Sequence, residues 1–147
     1  MTTEPRAMPM QGVIPYLAIE NTDEAIAFYK RAFGALQWGD AVRDDQGRVL
    51  NVGLEINGGM IMLSGVFPEM QHVAARGGQG FTLQLVVLDG GAWWSRAVEA
   101  GCEIVTPFEE HFWGDRYGQL RDPFGLDWAI NEPSAHNQAL AKEIIPS

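Results

Sequence analysis

The 147-residue chain is poor in three things: it has one cysteine, three histidines and ten basic residues. Each shortage excludes something. With Cys102 alone, no intramolecular disulfide and no cysteine-based metal cluster can form within one chain. Ten Lys and Arg against nineteen Asp and Glu leave a formal charge of −9 and no basic cluster. A general nucleic-acid or anionic-membrane binder needs grouped cations to neutralise phosphates, so neither partner is expected. No segment approaches the roughly 18–20 apolar residues of a membrane span. Met1 to Gln11 are polar and proline-containing, without the apolar core of a secretory signal. The expected location is a reducing cytoplasm. The acidity suits a cationic ligand, and reads more simply as a solubility device.

What is present is ordinary for one globular domain spanning residues 1–147: 46% hydrophobic and 20% charged residues. Five Trp need a core or a pocket to fill. Val13 to Glu20 reads as a strand. Asn21 to Phe33 reads as a helix, with Asn21 and Glu24 as a capping box and Gly34 as its stop. Strands follow at Leu36 to Arg43, Val49 to Ile56 and Met60 to Ser64. The second half repeats this order: a strand at Phe81 to Leu88, a helix capped by Asp89 and ended by Gly101, then strands at Cys102 to Pro107, Arg116 to Arg121 and Leu126 to Asn131. Gly34 and Gly101 lie 67 positions apart, and Gly59 and Gly125 lie 66 apart. The fold expected is α+β, with two βαβββ modules (about 13–65 and 80–132) forming a curved mixed sheet around a cleft. A tail, 133–147, carries a short helix from Ser134 to Ile145 that must dock to be stable.

The paired βαβββ order, with Trp113-Gly114-Asp115-Arg116-Tyr117-Gly118 and Asp122-Pro123-Phe124-Gly125-Leu126-Asp127-Trp128, resembles the vicinal oxygen chelate superfamily. That superfamily holds glyoxalase I, bleomycin-resistance proteins, fosfomycin-modifying enzymes and extradiol dioxygenases. The stretch Pro15 to Gly34 and the WGDRYG…DPFG run are most similar to its PhnB-like branch. The resemblance implies a ligand cleft completed in a homodimer and, in the metal enzymes, a divalent ion held by His, Gln or Glu from the first and last strands of each module. Carried across, those positions fall on Ile14, Leu63, Thr82 and Ala129, or on Gln84 if the register slips by two. None but Gln84 is a ligand type the family uses, so no metal site is expected.

Strand alternation then places Tyr16, Gln84, Asp127 and Asn131 in the cleft with Thr82. Leu17, Ile19, Leu83, Leu85, Val87, Trp128 and Ile130 fall under the helices. The candidate ligand-binding residues are Tyr16, Leu63, Thr82, Gln84, Trp113, Arg116, Tyr117 and Asn131. Arg116 suits a bidentate contact to an anion, or a corner held by Asp115 or Asp122. Trp113 and Tyr117 suit stacking on a planar or cationic ligand. His111 is a possible base that reads more simply as a loop histidine, and Cys102 reads as a buried, inert thiol. No catalytic residue stands out. The function expected is metal-free binding of a small, cationic or aromatic molecule, with no cofactor. The alternative is a metal-dependent lyase, isomerase or dioxygenase.

Overall fold

The computed structural model describes residues 10–144, with side chains described to residue 140. Residues 1–9 and 145–147, which include most of the polar N-terminal stretch and the last residue of the expected tail helix, lie outside it. The first module runs β1 (Tyr16–Ala18), α1 (Thr22–Phe33), β2 (Leu36–Arg43), β3 (Val49–Ile56) and β4 (Gly59–Ser64). The second runs β5 (Leu83–Val86), α2 (Gly90–Ala100), β6 (Glu103–Glu110), β7 (Arg116–Arg121) and β8 (Asp127–Glu132), followed by α3 (Ala135–Ile144). The strands form two separate four-stranded sheets, ordered β1-β4-β3-β2 and β5-β8-β7-β6. In each, the first and last strands pair parallel and the others antiparallel. Both expected modules are thus present.

The helix ends show why the repeat is regular. Gly34 sits left-handed at φ 65°, and the Ala35 N–H closes on the Tyr29 carbonyl at 3.1 Å. Gly101, at φ 126°, ends α2 likewise, with the Cys102 N–H on the Ala97 carbonyl. Asp89 caps α2 as expected, accepting the Ala92 N–H at 3.3 Å. The capping box at α1 does not form. Asn21 is itself left-handed (φ 57°) and its side chain makes no cap bond. Thr22 instead donates its hydroxyl back to the Ile19 carbonyl. The turn glycine matching Gly125 (φ 92°) is Gly58 (φ 80°), paired with left-handed Asn57 in a tight hairpin, rather than Gly59. Gly58 and Gly125 lie 67 positions apart, the same interval as the helix-ending glycines.

One core joins the modules. Leu17, Val52, Leu54 and Leu63 of the first sheet belong to the same buried cluster as Leu85, Leu120, Trp128 and Ile130 of the second. Helix α1 packs between them: the Tyr29 and Phe33 rings lie 5.5 and 4.5 Å from that of Trp128. Each such side chain contributes roughly 1.5–3 kcal/mol by leaving water. Asp122 ties the DPFG corner into this core, accepting the Tyr29 hydroxyl at 2.5 Å and the Trp128 indole N–H at 2.8 Å. Arg96 of α2 donates to the Arg31 and Lys30 carbonyls at the end of α1. Among the described residues, no helix is long and apolar enough to cross a membrane.

Candidate functional site

With one face of each sheet turned into the shared core, the opposite faces remain for a ligand. Register decides which residues stand there, because neighbours across paired strands share a face. In the first module Leu17 lies beside Leu63, so Leu63 shares the helix-covered face and is fully buried in the core. Leu63, expected among the ligand-binding residues, is thus turned into the core, and the residue on the open face beside Tyr16 is Met62. The error came from the 66-residue interval, one short of the repeat. Met60, Gly53, Trp38, Glu55 and Leu36 complete this open face. The Trp38 indole N–H donates to Glu55 Oε1 at 3.1 Å.

In the second module Gln84 and Gln119 flank Ala129, Tyr117 flanks Asn131, and Arg121 flanks Asp127. Thr82 precedes β5, and Gln84, not Thr82, is the neighbour of Ala129. Thr106 donates to Gln119 Oε1 at 3.1 Å, and the Gln119 amide donates to the Tyr117 hydroxyl at 3.0 Å. Arg121 donates to Asp127 Oδ1 at 2.8 Å, and the Gly78 N–H donates to the other oxygen. Burial alone would raise the Asp127 pKa, but Arg121 and the Gly78 N–H hold it below the ordinary carboxylate value. Thr82, Val105, Gln119, Arg121 and Asp127 line a hollow of about 220 Å³ on this face.

The WGDRYG segment divides its labour. Asp115 accepts the Ser134 N–H and the Asn137 amide on one oxygen and the Asn131 amide on the other. It therefore clamps the start of α3, and Asn131 is held by Asp115 with only 8% exposure. Arg116 does not reach the open face. It is the neighbour of Glu132, on the opposite side of the strand from Tyr117, and pairs with Glu132 at 3.5 Å while its guanidinium sits 4.5 Å from the Phe108 ring centre. Neither Asp115 nor Asp122 holds it; its partner is Glu132. Trp113 stacks on His111 with ring centres 4.5 Å apart, and Phe112 beside it is 97% exposed. His111 Nε2 stands 3.0 Å from the Tyr117 carbonyl.

Of the residues singled out from sequence, the structure sets Tyr16 on one open face, and Gln84, Tyr117 and Asn131 on the other with Thr82 at its edge. Trp113 stands at the β6–β7 end, while Leu63 and Arg116 point elsewhere. Met62, Trp38, Glu55, Thr106 and Gln119 were missed. Gln119 was legible as the residue two beyond Tyr117 on the same strand face; Trp38 and Glu55 required the β2–β3 register.

A divalent ion of the kind that metal enzymes of the resembled superfamily use does not fit this donor set. The neighbouring first- and last-strand positions are Tyr16 with Met62 and Gln84 with Ala129. A thioether and a methyl group are not ligands for such an ion. Among the described residues no three His, Cys, Asp or Glu side chains gather closely enough to hold a metal.

Comparison with known proteins places this geometry. An uncharacterised protein of Mycobacterium bovis is 37% identical over 124 residues, covering 81% of each chain. TioX from Micromonospora sp. ML1 superposes with a TM-score of 0.63 at 25% identity, over 82% of this chain and 98% of its own. The structure of an Arabidopsis thaliana gene product gives a TM-score of 0.63 at 27% identity, again over 82% and 98%. The family model of the glyoxalase/bleomycin resistance protein/dioxygenase superfamily matches residues 13–130. With both modules inside that match, the chain belongs to the glyoxalase/bleomycin resistance protein/dioxygenase superfamily.

Proposed function

We propose that the protein binds a small planar molecule, aromatic and cationic, without a metal ion, in a cleft that a second copy of the chain completes. The observation that carries this reading is the chemistry at the paired strand positions: Tyr16 with Met62, and Gln84 with Ala129. These supply an aromatic wall, a polarisable thioether, one amide and a smooth floor. Thr106, Gln119 and Tyr117 add a ladder of hydrogen-bonding groups beside that floor. Trp38 and Tyr16 offer ring faces to a cation, and the net charge of −9 attracts one. Each open face belongs to a four-stranded sheet and leaves large apolar side chains in water, among them Leu36 and Val86 at 52% and 50% exposure. A second copy laid over them would bury those residues and enclose the ligand. The single cysteine, buried at Cys102, suits a reducing cytoplasm.

The test combines elemental analysis of protein purified without chelators with tryptophan-fluorescence titration by N-methylquinolinium. The reading expects metal well below one ion per chain and saturable quenching by the cation. Stoichiometric metal would replace it with a metal-dependent lyase, isomerase or dioxygenase.

A further inference from the structure

A second cavity stands at one end of the first module, beside the strand positions just described and bordering them at Tyr16. It measures about 460 Å³ and is lined by Tyr16, Leu50, Phe67, Met70 and His72. We propose that it is a second binding pocket, for a neutral planar aromatic ring carrying one hydroxyl or amine group. All five residues come from one chain, so it needs no second copy; Tyr16 borders the proposed cleft as well, and Leu50, Phe67, Met70 and His72 belong to this pocket alone.

The size falls within the few hundred cubic ångströms usual for small-molecule sites. The walls are held in place before any ligand arrives. The Tyr16 hydroxyl donates to the Leu50 carbonyl at 3.0 Å, which fixes the ring across the strands. Phe67 is 3% exposed and forms an aromatic floor. A short 3-10 turn at Pro68–Met70 follows, closed by the Met70 and His72 N–H groups on the Phe67 carbonyl. Left-handed Gln71 (φ 63°) then returns the chain so that His72 meets Phe67 edge to face, with ring centres 5.7 Å apart. Met70, 62% exposed, stands at the mouth, where a flexible thioether adapts to the edge of a ring.

The polar groups are few, and they set the ligand class. The Tyr16 oxygen has given its proton to Leu50 and keeps lone pairs to accept a ligand O–H or N–H. Burial pushes the Tyr16 pKa above the ordinary phenol value, so this oxygen stays neutral and does not call for a cation. His72 Nδ1 lies 3.3 Å from both the Phe67 N–H and the Gly65 carbonyl, so the backbone engages it in either tautomer. Nε2 is the ring nitrogen left to meet a ligand. The lining residues include no Lys, Arg, Asp or Glu. A phenol, naphthol or indole fits this chemistry.

Titration with 2-naphthol, followed by calorimetry and by the ring-proton resonances of His72 in NMR spectra, tests the assignment. Saturable binding in the range of about 1 mM or tighter is expected, with the His72 resonances moving along the same isotherm. Met70→Trp, made at an exposed position, fills the mouth without disturbing the core and should weaken binding by about tenfold or more. An absence of saturation, unmoved His72 resonances, or unchanged affinity in Met70→Trp would overturn the proposal. Because Tyr16 borders both sites, Met70→Trp separates them: weakened naphthol binding with unchanged N-methylquinolinium binding supports this pocket, and equal weakening of both would place naphthol in the cleft and overturn the proposal.

Discussion

Asp122 gathers four donors on one carboxylate: the Tyr29 hydroxyl, the Trp128 indole, and the Phe124 and Leu126 N–H groups. It is 4% exposed, so these donors have no water to turn to if it is lost. Asp122→Ala should therefore lower the unfolding free energy by about 3 kcal/mol or more in urea titrations, and Asp122→Asn, which keeps one acceptor oxygen, by less. The same corner governs Cys102. Burial first, and the Asp122 charge second, push its thiol pKa up to about 12. At pH 8 the group is a thiol, not a thiolate, and thiolate is the reactive form. Labelling by a disulfide reagent should run at least about 100-fold slower in the native protein than in denaturant. Native labelling at the denatured rate would show that the corner opens freely. The sequence suggested an inert cysteine; the buried acid beside it became visible only once β7, β8 and α1 were brought together.

At the scale of elements, α3 depends on the WGDRYG segment. Burial alone would raise the Asp115 pKa, but the Ser134 N–H, Asn137 and Asn131 hold it below the ordinary carboxylate value. A depressed folded pKa means stability that is present above the unfolded value of about 3.9 and is lost as pH falls through the folded one. Amide protection in α3 should then fall below about pH 4 before the sheets unfold. Asp115→Ala should release α3 at neutral pH, at a cost on the order of 1–2 kcal/mol, while β7 and β8 keep their protection. Simultaneous loss of protection throughout would mean that the clamp belongs to the core. This role was half legible. Ser134 read as a cap and does accept the Asn137 N–H, but Asp115 read as a corner residue because nothing local names Asn131 and Asn137 as its partners. Periodicity gave the strands and helices because each element's burial is written along its own residues. Arg116 joined the candidates through the motif alone, which carries no strand parity until Tyr117 is paired with Asn131. Periodicity missed the left-handed Asn21 because a good capping residue and a good left-handed residue are the same residue.

For the whole molecule, the decisive arrangement is that both helix-covered faces feed one core, so the two open faces cannot protect one another by that packing. Two four-stranded sheets, each with one face in the core and one outside, expose Val86 and Val105 on the second module, and Leu36 and Val42 on the first. Large apolar side chains left half in water on both open faces suit burial against a partner. A closed pair related by a two-fold axis buries both sets at once, because each face meets its counterpart's complement and no open chain of copies is generated. Sedimentation of the wild-type protein should give the dimer mass at micromolar concentration. Val86→Asp sets an anion on the outer face of β5, where Val86 is half exposed. It should shift the boundary to the monomer with unchanged circular dichroism, and it should weaken N-methylquinolinium binding by about tenfold or more. A dimer that survives Val86→Asp would move the interface away from β5. A monomer that still binds the cation at full strength would show that one open face suffices, and the cleft would then belong to a single chain.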